Sequence, residues 1–250
     1  LLAKSKEEYL AVLCVCGAEY RTDLQGEGDR LLVSCASNCI GKKKAEDLSV
    51  VFASGQDPYL CCEMAVMKAL ALTGREGMLR SRRLFPEMFE YFGWCSWDAF
   101  YHEVSAAGIK EKLDEFKEKQ IPVNWVLIDD GWLDADYKKQ VLKGPDAAPD
   151  KFPDGLGAFV RKIKAEYEIK QVGVWHAVMG YWNGLEAGSK AEHLLEDGTE
   201  KLKDGRIIPA AETGKAFRFY DTWHEYLKNS CGIDFVKVDG QSAVSLFYSG

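Results

Sequence analysis

The sequence has no apolar run reaching the roughly 18 to 20 residues that a membrane-crossing helix needs, so nothing in it reads as a spanning segment. It has no excess of positive charge either. Its 32 Lys and Arg face 39 Asp and Glu, a formal net charge of -7, which offers no broad basic surface and argues against nucleic acid or an anionic membrane as a partner. The sequence contains neither an initiator Met nor a basic-then-apolar leader and opens on Leu1-Leu2-Ala3-Lys4. The chain therefore opens as a piece cut from something longer would, and no export signal is read from it.

The paired C-x-x-C spacing of a structural zinc site is missing as well. The eight cysteines include Cys14 with Cys16, Cys35 with Cys39 and Cys61 with Cys62, and no histidine lies among these pairs. A chain of 250 residues, 47% of them hydrophobic, buries a substantial core without covalent staples. The expectation is reduced, mostly buried thiols and, from that, a cytoplasmic location.

What is present changes character along the chain. Residues 9–51 hold short apolar runs (10–16, 30–35 and 48–53) between clusters such as Gln25-Gly26-Glu27-Gly28-Asp29, the pattern of short antiparallel strands joined by turns and part of a β-sandwich. Residues 58–72 then carry Leu60, Met64, Met67 and Ala71 at helical spacing, with Thr73-Gly74 as a stop; this stripe reads as core packing. The basic run 75–83 reads as a solvated connector. Residues 1–90 thus form the end of a sandwich domain plus a helical linker, and residues 91–250 a second domain.

In that second domain, strands alternate with helices. Strand patterns cover residues 91–97, 123–129, 171–177 and 234–239, with helical patterns at 106–120, 156–167 and 217–229. Strands apolar on both faces, separated by amphipathic helices, argue for an α/β fold with a parallel sheet covered by helices. Ligands in such folds sit at the carboxyl ends of the strands. Those ends carry Trp97-Asp98, Asp129-Asp130-Gly131-Trp132, Trp175-His176 and Lys237-Val238-Asp239. An eight-unit barrel of about 250 residues allots about 31 residues per strand and helix. The step from Asp98 to Asp130 fits that figure, whereas His176 to Asp239 is about double. The surplus at 180–215, holding Tyr181 and Trp182, reads as an active-site loop or an ordinary surface insertion.

Period-2 alternation puts Phe235, Lys237 and Asp239 on one face of the last strand. The pair is either a structural ion pair at a strand end or part of a site, and acids and Trp at four strand ends favour a site. Carboxylates and a lysine hydrogen-bond sugar hydroxyls while Trp planes cover the ring, which suits Trp97, Asp129, Asp130, Trp175 and Lys237. The acids with His176 could instead hold a divalent metal, but one His with oxygen ligands on separate strands is a weak signal. A Schiff base on Lys237 is disfavoured because Asp239 would keep the amine protonated. Asp239, kept ionised beside a lysine and facing a sugar, suits the nucleophile of a retaining glycosidase, whose second carboxyl group stands about 5 to 5.5 Å away.

Four motifs in order, GWCSWDAF at 93–100, LIDDGW at 127–132, GVWHAVMGYW at 173–182 and FVKVDG at 235–240, closely resemble the glycoside hydrolase family that contains α-galactosidases, raffinose synthases and seed-imbibition proteins. The resemblance covers residues 91–250. It implies a β-sandwich preceding a (β/α)8 barrel, of which this chain would hold the N-terminal half, strands one to four. It further implies Asp239 as nucleophile, Lys237 on galactose hydroxyls, Asp129 and Asp130 on the O4 and O6 side, and Trp97 and Trp175 as pocket walls. The implied partner is an α-galactoside oligosaccharide of the raffinose, galactinol or melibiose kind, and neither a cofactor nor a metal is implied. Trp175 to Ala177 and Gly180-Tyr181-Trp182 look closer to the raffinose-synthase and seed-imbibition branch, which sets galactosyl transfer beside hydrolysis. The family's acid/base lies on a later strand absent here. A non-catalytic galactoside-binding relative is the alternative. Half a barrel leaves open edges, so the 250 residues alone are expected to be poorly stable and inactive.

Overall fold

The computed structural model describes residues 1–17, 20–37, 41–44 and 46–248. Cys39, paired above with Cys35, lies outside them. The chain divides into two compact units, Leu1–Phe85 with Ser245–Gly250, and Pro86–Val244. Among the described residues no helix is long and apolar enough to cross a membrane.

In the first unit, strands β1 (Leu2–Ser5), β2 (Glu8–Cys14), β3 (Arg21–Glu27), β4 (Arg30–Ala36) and β5 (Val50–Gly55) precede helix α1 (Pro58–Leu72). β1, β2 and β5 make an antiparallel sheet in that order, and β3 pairs with β4 as a separate hairpin. Its turn is the Gly28-Asp29 pair, with Gly28 at φ 61°, a left-handed value that glycine adopts without a Cβ penalty. α1 starts at Asp57, whose carboxylate accepts from the amides of Tyr59 and Leu60, with Pro58 in the first turn.

Two expectations fail here. The α1 stripe of Leu60, Met64, Met67 and Ala71 is exposed, and the buried residues are Cys61, Ala65 and Ala69, packed with Ala11, Val15 and Val51. Small side chains every fourth residue let the helix lie close on the sheet, which turns the bulky ones outward. Nor are the thiols mostly buried. Of the seven described cysteines, all free, Cys61 and Cys231 are buried, while Cys16, Cys35 and Cys62 are exposed. Cys35 sits on a two-stranded hairpin, which has too little covering mass to enclose it.

The second unit contains β6 (Gly93–Cys95), α2 (Trp97–Phe100), α3 (Ala106–Glu118), β7 (Trp125–Ile128), β8 (Leu133–Asp136), β9 (Val141–Ala147), α4 (Leu156–Tyr167), β10 (Gln171–Ala177), α5 (Lys190–Leu195), β11 (Thr199–Lys201), β12 (Ile207–Pro209), α6 (Thr213–Cys231) and β13 (Phe235–Asp239). The four parallel strands lie side by side in chain order, β6-β7-β10-β13. One sheet face feeds a large core in which Val126, Ile128, Val172 and Val174 join Ile109, Leu113, Val160, Ile163, Phe219, Trp223 and Leu227 from α3, α4 and α6. The other face carries Trp125, Leu127 and Asp129; Gly173, Trp175 and Ala177; and Phe235, Lys237 and Asp239, by strand alternation and register.

Two glycines fit bulky rings onto that second face. A Cβ on Gly93 would fall inside the Trp125 indole, and one on Gly173 inside the Phe235 ring. Those rings meet edge to face at 5.8 Å, flooring the sheet one step below the charged residues.

The region at 180–215 is neither a loose loop nor a plain surface excursion. It folds into α5 and the β11–β12 hairpin and buries Leu185, Leu195, Ile207 and Ile208. A second insertion, the β8–β9 hairpin, follows β7, and its Leu142 bridges to Leu185.

Candidate active site

The strand ends bring three carboxylates to one place, each held by donors from different elements. β7 stops at Ile128, where the Asp129 amide bonds the buried Ser96 hydroxyl at 2.9 Å. The next amide, that of Asp130, bonds Asp129 Oδ1 at 2.9 Å. Successive side chains then diverge, Asp129 over the sheet face and Asp130 toward the insertion.

Asp129 is 2% exposed. Its Oδ2 accepts from Lys237 Nζ at 2.7 Å and from the Cys95 thiol at 3.2 Å. Desolvation pulls the Lys237 ammonium downward, but the Asp129 hydrogen bond and charge, with smaller help from Cys95 and Asp239, leave its pKa raised. A raised pKa keeps it a cation and makes it a poor Schiff-base nucleophile. Burial, with the neighbouring Asp129 charge, raises the Cys95 thiol, so it stands as a neutral donor.

This corrects the pairing read from the sequence. Lys237 and Asp239 share a face, yet the lysine forms its ion pair with Asp129 across the sheet, and Asp239 is held otherwise. Trp175 Nε1 donates to Asp239 Oδ2 at 3.2 Å and the Gly240 amide to Oδ1 at 2.6 Å. Both oxygens are fixed while the residue stays half-buried. Trp175 is 1% exposed, packed against Tyr181 and Trp182 at ring separations of 5.9 and 5.5 Å. It therefore serves Asp239 through its indole N–H, and the half-buried Trp182 is the ring nearer solvent.

Asp130, 3% exposed, accepts from the Tyr181 hydroxyl at 3.0 Å, from Trp182 Nε1 at 3.3 Å and from His102 Nε2 at 3.2 Å. A carboxylate offers only acceptors, so His102 carries its proton on Nε2. Burial and the Asp130 charge push the Tyr181 phenol well above its ordinary pKa. The predicted Trp97 is half-buried, two residues past β6 in α2, with its ring edge-on to His102 at 5.4 Å. Asp98 is exposed and belongs to no part of this cluster. The sequence reading missed Cys95, Ser96 and His102. Cys95 was open to the period-2 rule, since it lies one strand over from Asp129 on the same face.

His176 points the other way, into the helical layer, which separates it from the acids and from the metal role considered for it. Its Nδ1 must donate to the Ala177 carbonyl at 3.0 Å, which leaves Nε2 to accept from His224 Nε2 at 2.9 Å. Burial, reinforced by the His224 charge against the opposing carbonyl bond, lowers its pKa to about 4. A histidine with a lowered folded pKa contributes stability that is complete above the unfolded value of about 6.5 and lost as pH falls through the folded one, about 3 kcal/mol over the whole window. Urea midpoints at pH 7 and pH 5 are expected to fall more in the wild type than in His176→Asn. Equal slopes for the two proteins contradict this.

Two surface grooves lie away from this cluster. One of about 290 Å³ runs between α3 and α4, with Phe152, Phe159 and Ile163 in its wall, and a second of about 350 Å³ borders Phe116, Ile121 and Tyr167. Neither includes a residue of the strand-end cluster.

The sequence profile of the family described as raffinose synthase or seed imbibition protein Sip1 matches residues 3–151 and 143–249. A probable galactinol–sucrose galactosyltransferase 1 of Arabidopsis thaliana is 30% identical over 97% of this chain, which spans 38% of that protein's length. Among solved structures, the cycloalternan-degrading enzyme from Trueperella pyogenes aligns with 94% of this chain and 35% of its own at TM-score 0.57 and 17% identity. An α-galactosidase from Geobacillus stearothermophilus, in complex with 1-deoxygalactonojirimycin, aligns with 95% of this chain and 34% of its own at TM-score 0.56 and 14% identity. At such identities the likeness to the two structures is one of fold.

Proposed function

Because the chain belongs to the raffinose synthase and seed imbibition protein family, we propose that it supplies the nucleophile-bearing half of a (β/α)8 barrel in a retaining enzyme acting on α-galactosides. The observation that carries this is the convergence at adjacent strand ends: Lys237 and Cys95 on Asp129, Trp175 and the Gly240 amide on Asp239. The chain-order parallel strands support the half-barrel, since βα units of a barrel follow one another around the ring.

In the first half-reaction an Asp239 oxygen attacks the anomeric carbon as the bond to the leaving-group oxygen breaks. The proton that the leaving oxygen needs comes from an acid on a later strand, assigned to no carboxylate here. The product is a galactosyl ester of Asp239. In the second, water or a sugar hydroxyl attacks the same carbon, loses its proton to the same group and restores the Asp239 carboxylate. Trp175 and Gly240 aim the carboxylate for both steps, which converts ordering done during folding into rate. Lys237 donates to galactose hydroxyls while Asp129 and Asp130 accept from those on the O4 and O6 side. Half-buried Trp97 and Trp182 offer apolar planes to the ring.

The Arabidopsis thaliana relative, a probable galactinol–sucrose galactosyltransferase, favours transfer from galactinol to sucrose. Incubation of the full-length gene product with galactinol and sucrose is expected to release inositol with galactose appearing on sucrose. Free galactose instead indicates water as acceptor on the same first half-reaction. Release of neither inositol nor galactose from any α-galactoside contradicts the proposal.

A further inference from the structure

His102 is the solvent-facing donor to Asp130, and several contacts hold it there. The carboxylate already has the Tyr181 hydroxyl on Oδ1 and the Trp182 indole on Oδ2. The third donor, His102 Nε2 on Oδ2, approaches from the solvent side: the His102 side chain is 52% exposed against 4% for Asp130.

The backbone around it is costly. Tyr101 adopts φ 47° and ψ -135°, a conformation outside the regions open to side-chain-bearing residues, of the kind that costs about 1 to 3 kcal/mol. Its own side chain is exposed, so burial of the phenol does not offset that cost. Gly131 passes so close that a Cβ there would stand 2.7 Å from His102 Cα, with φ at 112°. Lys151 Nζ ties the two backbones together, donating to the Gly131 carbonyl at 2.7 Å and to the His102 carbonyl. Between Trp97 at 5.4 Å and Tyr137 at 5.7 Å the imidazole is flanked by two rings. Strained backbone persists only where the surroundings over-determine it, and such positions cluster where a ligand is held.

We propose that His102 is a positioning residue of the sugar subsite, fixing Asp130 through Nε2 and presenting its exposed ring to the hydroxyl edge that Asp130 reads. This rests on the α-galactoside reading and adds to it a residue outside the four strands. Replacing the imidazole leaves Asp239 and its donors untouched, so binding suffers and the chemical step does not.

Three variants of the full-length protein separate hydrogen bonding from packing. His102→Ala removes both, His102→Gln keeps a donor, and His102→Phe keeps a ring between Trp97 and Tyr137 without a donor. With p-nitrophenyl α-galactoside, His102→Ala is expected to raise KM about tenfold with kcat within about threefold; Gln recovers most of the loss and Phe does not. An unchanged KM in His102→Ala, or recovery by Phe and not by Gln, overturns the proposal. So does a fall in thermal midpoint with loss of both parameters in all three variants. Turnover abolished in Asp239→Ala supports the nucleophile whatever His102 does. If the wild type lacks turnover, galactose quenching of tryptophan fluorescence carries the same comparison, and a wild type that neither turns over nor binds galactose overturns both readings.

Discussion

Asp239→Ala is expected to lose turnover of every α-galactoside by at least about 10³-fold, the scale on which removal of an attacking nucleophile registers. The effect should fall on kcat, because the proposed reading gives the galactose hydroxyls to Lys237, Asp129 and Asp130 and not to the attacking oxygen. Folding should survive: among the described residues Asp239 makes no ion pair, and its hydrogen bonds come from Trp175 and the Gly240 amide, at a position open enough for water to replace them. Steady-state kinetics beside a thermal melt check this. A variant that keeps kcat, or that loses activity only by unfolding, contradicts the role.

Lys237→Met should be the larger blow to binding and to stability. It leaves Asp129, 2% exposed, with a neutral thiol and a backbone amide as donors and no counter-charge. Breaking a fully buried pair costs about 3 to 5 kcal/mol. With the Lys237 side chain 42% exposed, water screens part of the pair, and a loss of about 1 to 3 kcal/mol is expected. Galactose affinity should fall about 100-fold if the lysine donates to the sugar as proposed, since it also orients the acid beside it. Urea unfolding and galactose titration read the two effects. A Met variant matching the wild type in both would remove Lys237 from the site.

Some of this was legible from residue order alone. Helix α4 and strand β10 run over the residues that periodicity picks out, because an amphipathic stripe and a continuous apolar run each admit one burial solution. The clustering of Asp129, Asp130, Lys237 and Asp239 followed from the rule that parallel-sheet ligands sit at strand carboxyl ends. The partner of Lys237 did not, because Asp129 lies 108 residues away and local alternation offers only Asp239. The buried face of α1 was misread because the helix is apolar on more than one side; the closeness permitted by Cys61, Ala65 and Ala69 decides, and size is invisible to a hydrophobic period. The β8–β9 hairpin escaped notice because its strands mix acids with Gly144-Pro145, the marks of a loop. His102 carries no local signal at all. Its meaning comes from the Tyr101 backbone, the close pass of Gly131 and the reach of Lys151, all of which require the fold.

In the proposed mechanism Asp239 forms a bond to the sugar. Exposure of the full-length protein to a fluorinated α-galactosyl fluoride, whose ester intermediate is released slowly, followed by intact-mass measurement and peptide sequencing, tests it directly. One glycosyl unit per molecule is expected, on Asp239 in the peptide that also contains Lys237, and none in Asp239→Ala. A glycosyl unit on any other residue, or α-galactoside turnover with no ester formed, would contradict it.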